Sequence, residues 1–352
     1  MSSLEKKFYE NTDKIDEDSC EEEPDRNGPP STGKSYGDPH MITYDGYRYS
    51  FQTLGEYVLT KSVGGDFEVQ TRQTQVPGRQ LSLNTAAAIK VGNNRVAFYV
   101  QFFPDGVTDT SLRINGEPTY IDAGDTLELP GGGQVYHLSG NNYQVITANG
   151  ESVDIHEISM AGLNFMNVSP QVYSEPPGQF IGLLGDLDGD PANDLRTRGG
   201  SVIPSRSTYG EVRQVVTSFV PIPGIIPLNR LENAVFDQIY KDFGNSWRVD
   251  SAESLFDYAP GEGPATFADP NFPSSYRSLE NLTPEQMQEA EAICLEAGVE
   301  PELLDGCVFD VAFTEEPGFA QAAANALLDE VGDRVLDEIQ RRAPVPIPRL
   351  PF

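Results

Sequence analysis

The chain has 352 residues, 38% of them hydrophobic and 10% aromatic, enough for folded domains with a proper core. Lys+Arg 24 against Asp+Glu 54 leaves a formal net charge of −30, which excludes the basic footprint that nucleic acid and anionic membrane surfaces require. No apolar run approaches the ~20 residues needed to cross a bilayer, and three cysteines are too few for a disulfide framework.

Residues 1–35 are polar, acidic and poor in aliphatics, a composition that predicts disorder, and they include Cys20. Met1-Ser-Ser-Leu-Glu-Lys-Lys lacks the apolar core of a signal peptide. An absent export signal, another export route and an intracellular protein all stay open. Gly28-Pro-Pro-Ser-Thr-Gly-Lys-Ser35 fits the phosphate-loop pattern formally. That pattern needs a buried strand before it and a helix after it. Glu-Glu-Glu-Pro precedes it and Tyr36-Gly-Asp-Pro39 follows it, so it reads as a chance match.

From Met41 to about Val220 the chain alternates in short runs. Met41 to Phe51 reads as a strand pair broken at Asp45-Gly46, a hairpin dipeptide. Gly55 to Lys61 and Asp66 to Arg72 alternate with period two, and further strands are predicted out to Val168. Turns such as Gly92-Asn-Asn94, Asp105-Gly106, Asn115-Gly116 and Asn149-Gly150 separate them, and this spacing predicts an antiparallel β-sandwich or barrel.

From about Leu228 the period becomes helical. Leu231, Val235, Ile239 and Phe243 recur on one face before Gly244. Residues 245–278 read as loop and hold the single tryptophan, Trp247. Thr283 with Pro284 and Gln286 forms a capping box that predicts a helix to about Ala297. Further helices are predicted from Pro301 to about Phe313 and from Pro317 to about Arg342. Cys294 and Cys307 then fall on adjacent helices, where they either form a disulfide or remain buried thiols. The Pro-rich tail, 343–352, reads as extended polyproline.

One stretch concentrates the chemistry. Gly182-Leu-Leu-Gly-Asp-Leu-Asp-Gly-Asp-Pro-Ala-Asn-Asp-Leu195 places Asp186, Asp188, Asp190, Asn193 and Asp194 within nine residues. Gly189 and Pro191 force it to turn. Carboxylates crowded by a turn repel one another, and a hard cation such as Ca²⁺, which takes 6–8 oxygen ligands, relieves that repulsion. A solvated acidic turn is the plainer alternative. An EF-hand is a poor match, because Pro191 and Thr197 stand where that loop needs glycine and glutamate.

Gly37-Asp-Pro-His-Met-Ile-Thr-Tyr-Asp-Gly46, then Gly55-Glu-Tyr-Val-Leu59, then the acidic stretch ending at Leu195, resemble the type D domain of von Willebrand factor over roughly residues 36–220. Ile239 to Val249, Ser254 to Tyr258 and Cys307-Val-Phe-Asp310 are similar to the region after that domain in transmembrane mucins and sushi-domain surface proteins. The resemblance implies a β-sandwich, an extracellular or cell-surface setting and a bound Ca²⁺ held by Asp45 with Asp186, Asp188, Asp190, Asn193 and Asp194. Position 186 is usually Asn in that family, and Leu184 stands where it usually has Cys. A cysteine-poor, microbial relative is therefore expected, without disulfide-linked polymerisation. Some similar domains cleave themselves at the Asp38-Pro39 bond. There the Asp38 carboxyl attacks its own backbone carbonyl, and His40 is able to assist proton transfer. The alternative is that Asp38 and His40 merely satisfy a strand entry.

The expected organisation is a disordered segment at 1–35, a mainly β domain (an antiparallel β-sandwich) at 36–222, a smaller helical region at 228–342 and a tail at 343–352. The expected function is a calcium-stabilised, non-enzymatic adhesion or structural module that binds an extracellular protein or glycan. Two other readings are kept. One is self-cleavage at Asp38-Pro39 that couples the chain covalently to a partner. The other is an enzyme. Asp154 and His156 share one face of a predicted strand, with Glu157 on the other, a pair that also reads as an ordinary surface feature. A carboxylate-pair hydrolase is a separate alternative, because 54 acids offer many pairs, with Asp45 and Asp188 as the residues to substitute.

Overall fold

The computed structural model describes residues 30–173, 177–204 and 234–326. The predicted segment 1–29, the tail 343–352 and predicted helical residues 228–233 and 327–342 lie outside the described residues. The described chain is mainly antiparallel β, with a smaller helical region after it.

Two sheets carry the fold. In the first, Thr126–Glu128, Gln134–His137, Asn142–Ile146, Ser152–Met160, Leu163–Val172, Lys34–Tyr36, His40–Ile42 and Arg48–Ser50 lie side by side, and Ser31–Thr32 also pairs with Leu163–Val172. In the second, the order is Glu117–Pro118, Leu112–Ile114, Asn94–Tyr99, Ser82–Val91, Phe67–Gln75, Gly55–Ser62 and Phe180–Ile181. Their inner faces share one apolar core in which Met41, Val58, Val69, Ile89, Phe98, Val135, Ile155 and Val168 are almost wholly buried. Burying each such large apolar side chain contributes about 1.5–3 kcal/mol.

The predicted start of the folded region needs correction. Residues 31–35, expected to be disordered, belong to Ser31–Thr32 and Lys34–Tyr36 inside the first sheet. Local composition is overridden by specific partners. Lys34 Nζ donates to the Ala326 carbonyl at 2.7 Å, and Asn84 Nδ2 donates to Ser35 Oγ at 2.8 Å. The lysine of the phosphate-loop pattern thus serves a helix carbonyl.

The helical region packs on the sandwich. A π-helical turn at Asp237–Phe243 places Tyr240 and Phe243 edge-on to Phe51 and Tyr49, with ring centroids 5.7 and 6.1 Å apart. The chain after it covers the edge of Gly55–Ser62: Val58 N donates to Trp247 O and Val249 N to Glu56 O, both at 2.9 Å. Covering an edge removes a template for unwanted pairing.

The helices that follow include α1 (Pro284–Glu296) and α2 (Leu304–Thr314), and residues 318–326 are helical as well. The capping box of α1 is formed: Gln286 N donates to Thr283 Oγ1 at 3.2 Å, and Thr283 N to Gln286 Oε1 at 3.0 Å. A disulfide joins Cys294 on α1 to Cys307 on α2. Phe309 and Phe319 make a second core with Tyr36, Leu83 and Phe165 of the sheets. No described helix is long and apolar enough to cross a membrane.

Candidate functional site

The strand His40–Ile42 has a cluster of acids at each end. At one end, Thr43 to Tyr47 turn the chain into Arg48–Ser50, closed by Thr43 N donating to Tyr47 O at 2.9 Å. This turn presents Asp45. The acidic run reaches it because Leu184, fully buried in the core, ties the two segments together. Leu184 N donates to Leu59 O at 3.1 Å, and Tyr44 N donates to Leu184 O at 3.0 Å. An apolar side chain thus packs at the position where the resemblance leads one to expect cysteine.

Asp45 accepts from the backbone of the acidic turn, at 3.1 Å from both Asp188 N and Gly189 N. Carboxylate oxygens of Asp45, Asp186 and Asp188 lie within 4.8 Å of one another. Asp194, 1% exposed, is fixed by the Thr43 hydroxyl at 2.6 Å. Gly185 admits it: its φ is +80°, and a Cβ there would lie 2.1 Å from Asp194 Oδ1. Asn193 Nδ2 donates to Asp188 Oδ2 at 2.9 Å. Asp190 differs from the rest: it is exposed, and its carboxylate accepts from Ala192 N at 3.0 Å, closing its own turn.

Charge is poorly balanced here. Arg196 Nε lies 3.5 Å from Asp186 Oδ2 and is the basic side chain paired with the cluster among the described residues. Asp186 Oδ1, Asn193 Oδ1 and Asp194 Oδ1 are buried with no hydrogen-bond donor. Buried acceptors without a partner are uncommon and costly. Burial, reinforced by neighbouring carboxylates, raises the affinity of Asp45 and Asp186 for protons and pushes Asp194 up to about 7. Three orphaned oxygens beside clustered carboxylates fit a hard cation.

At the other end of the strand, Gly37, Asp38 and Pro39 form the turn back to Lys34–Tyr36, with Tyr36 opposite His40. The turn is held at both ends: Gly37 N donates to Asn167 Oδ1 at 3.1 Å, and Phe51 N to Pro39 O at 2.8 Å. Asp310, on α2, meets it there. Asp310 Oδ2 accepts from Asp38 N at 3.3 Å, and Asp310 Oδ1 lies 2.6 Å from His40 Nε2. Asp38 Oδ1 is 2.7 Å from the same nitrogen, yet neither Asp38 oxygen makes an aligned hydrogen bond. Asp38, His40 and Asp310 are all at most 1% exposed. Burial and then the Asp310 charge hold Asp38 well above the usual carboxylate range, against the pull of His40. Burial alone would lower the His40 pKa, but Asp310 and Asp38 outweigh it and raise it to about 10.

Sequence reading missed Asp310 as a site residue. Its only signal was its place in Cys307-Val-Phe-Asp310, since 272 residues separate it from Asp38. The residues weighed for hydrolysis are not assembled into one site. Asp154 is buried and accepts from Gln144 Nε2 at 2.9 Å and Gln171 Nε2 at 3.1 Å. His156 Nε2 lies 3.5 Å from Asn325 Nδ2. Glu157 borders a cavity of about 380 Å³ with His137, Tyr143 and Tyr120, and burial raises its pKa to about 7.

Residues 33–201 match the family model of the von Willebrand factor type D domain. The chain is 28% identical to Sushi domain-containing protein 2 of Homo sapiens over 306 residues, 81% of this chain and 31% of that protein. It is 26% identical to Mucin-4 of Rattus norvegicus over 189 residues, 51% of this chain and 8% of that protein. It is 25% identical to SCO-spondin of Rattus norvegicus over 195 residues, 54% of this chain and 3% of that protein. The chain therefore spans less than a third of the length of each. Together these matches support a protein that carries a von Willebrand factor type D domain over residues 33–201.

Proposed function

We propose that this chain is a calcium-stabilised, non-enzymatic module of the extracellular space or cell surface that binds other macromolecules, a protein or a glycan. The observation that carries the calcium is the set of orphaned oxygens on Asp186, Asn193 and Asp194 beside the Asp45–Asp186–Asp188 carboxylates. Asp45, Asp186, Asp188, Asn193 and Asp194 would hold the ion, with water and backbone oxygens completing its shell. Asp190 would act by shaping the turn. Bound Ca²⁺ neutralises the repulsion and ties the first hairpin to the acidic loop, over 140 residues along the chain. The similarity to mucin-4 and to a sushi-domain protein supports the binding role and the location. Calorimetric titration of chelated protein with Ca²⁺ tests the site. Heat of binding and a raised melting temperature are expected, and indifference of both to Ca²⁺ rejects it.

A second reading, self-cleavage at Asp38-Pro39, is favoured by the buried Asp38–His40–Asp310 group. An Asp carboxyl without an aligned donor, next to its own backbone carbonyl in a glycine-led turn, has the arrangement that anhydride formation needs. The anhydride would then be open to water or to a nucleophile on a partner.

A further inference from the structure

The geometry points to Asp310 as the positioning residue for cleavage of the Asp38-Pro39 bond, so that docking of α2 onto the first hairpin arms the site. The inference rests on the self-cleavage reading and adds to it the residue and the element that control the reaction.

Two glycines exist where α2 meets the turn. Gly37 has φ +61°, and a Cβ on it would lie 2.2 Å from Asp310 Oδ2. Gly306 is on α2 itself, and a Cβ there would lie 2.5 Å from the Tyr36 hydroxyl and 3.0 Å from His40 Cγ. A Cβ at either place would force the facing side chains, Asp310 or Tyr36 and His40, out of these positions. Phe309, next to Asp310, packs edge-on to the His40 ring at 5.5 Å. The contact between Asp310 and the turn is thus built from both sides.

Asp310 divides the labour within the group. Its two oxygens take the Asp38 backbone N–H and the His40 ring N–H. Asp310 thus shares the imidazole with Asp38, whose Oδ1 lies 2.7 Å from the same nitrogen, and neither Asp38 oxygen makes an aligned hydrogen bond that would hold it back from its own carbonyl. A metal is a poorer occupant of this group, because spacings of 2.6 and 2.7 Å between its donor atoms are those of shared protons. In the reaction, an Asp38 carboxyl oxygen bonds to the Asp38 carbonyl carbon, and the bond from that carbon to Pro39 N breaks. The proton leaving the Asp38 carboxyl passes through the His40 group to the proline nitrogen. Water then opens the cyclic anhydride to two carboxyl groups. The charged or titratable neighbours of the group are Tyr36, Tyr240, Arg48 and Asp305.

The test is intact-mass spectrometry of the full chain between pH 4 and 7.5, for wild type, Asp38→Asn, Asp310→Asn and Gly306→Ala, with near-UV circular dichroism to verify folding. Wild type should yield a fragment beginning at Pro39, and Asp38→Asn none. Asp310→Asn should cleave roughly 100-fold more slowly, with its pH midpoint displaced, whereas a merely structural role would scale the rate and leave the midpoint in place. Gly306→Ala retains all three reactive groups and should slow cleavage too, which keeps the test decisive if Asp310→Asn fails to fold. A wild-type chain that stays intact overturns the self-cleavage reading and this inference with it. Cleavage of folded Asp310→Asn or Gly306→Ala at the wild-type rate and pH midpoint overturns the inference alone.

Discussion

Two acid clusters share the strand His40–Ile42, and burial separates their chemistry. Around Asp45 burial is graded: Asp188 is exposed, Asp45 and Asp186 are half-buried with carboxylate oxygens within 4.8 Å of one another, and only Asp194 is buried, with oxygens of Asp186 and Asp194 that find no donor. Around Asp38 the acids sit beneath α2 at hydrogen-bond distance from one imidazole, at most 1% exposed. An open cluster can recruit a cation from solvent and shed it again. A closed one has to balance its charge with protons and side chains already present, because an uncompensated buried charge costs several kcal/mol. On the proposed function, Asp38 and Asp45, seven positions apart, would answer to different variables: Asp45 to metal concentration, Asp38 to pH.

The sharpest way to break that comparison is to titrate the proposed calcium site with chelator. Chelation should lower stability by about 2.7 kcal/mol relative to protein at a calcium concentration 100 times the dissociation constant, or roughly 5–10 °C in melting temperature. Asp45→Asn should abolish this response, and Asp38→Asn should leave it intact. If the two variants respond alike to chelator in a thermal melt, the clusters are not independent.

The closed cluster is probed by pH with calcium in excess. His40 has an ordinary pKa of 6.5 and is raised to about 10 in the fold. A raised folded pKa means that the folded state holds the extra proton. The stabilisation is complete below pH 6.5 and is lost as pH rises through about 10. Denaturant unfolding should show a decline on the order of 2 kcal/mol across that window, and His40→Gln should flatten it. A wild-type stability that is level over this range would contradict the burial of a charged imidazole.

Gly185→Ala attacks the open cluster through the backbone. A left-handed alanine costs roughly 1–2 kcal/mol, and its Cβ would displace the Asp194 carboxylate. A loss of about 2 kcal/mol with weakened calcium binding is expected. Unchanged calcium affinity would remove Asp194 from the site.

Glu157 lies between the extremes, lining an open cavity with one orphaned oxygen. Its pKa rises from 4.5 to about 7, so its contribution is present below pH 4.5 and lost as pH rises through 7. Glu157→Gln should be more stable than wild type by roughly 1–2 kcal/mol at pH 8 and no different at pH 4. Equal stability at both pH values would show the carboxyl to be well solvated. The smallest effect is expected of Asp190→Asn. Its exposed carboxylate closes its own turn, so stability should stay within about 0.5 kcal/mol and calcium binding should persist. A large drop in affinity would make Asp190 a ligand.

Much of this could be read locally. The hairpin at Asp45-Gly46, the capping box at Thr283 and the change of period after the sandwich each depend on neighbours in sequence, and each formed. The start of the folded region was placed too late because Lys34 and Ser35 look polar, and their partners, Ala326 and Asn84, are distant. Asp190 looked equivalent to Asp186 and Asp188, since a sequence gives the spacing of carboxylates but not the direction in which a turn points them.

The sequence alone determined that β alternation precedes helical period, that oxygen-bearing side chains crowd near residue 190, and that Asp38 precedes a proline. Periodicity and turn chemistry act over a few residues, so they survive without a fold. Tertiary structure decided which of those acids would meet. Packing of α2 against Phe165, Tyr36 and His40 brought Asp310 to the Asp38-Pro39 turn, and no local preference encodes a contact made across 272 residues.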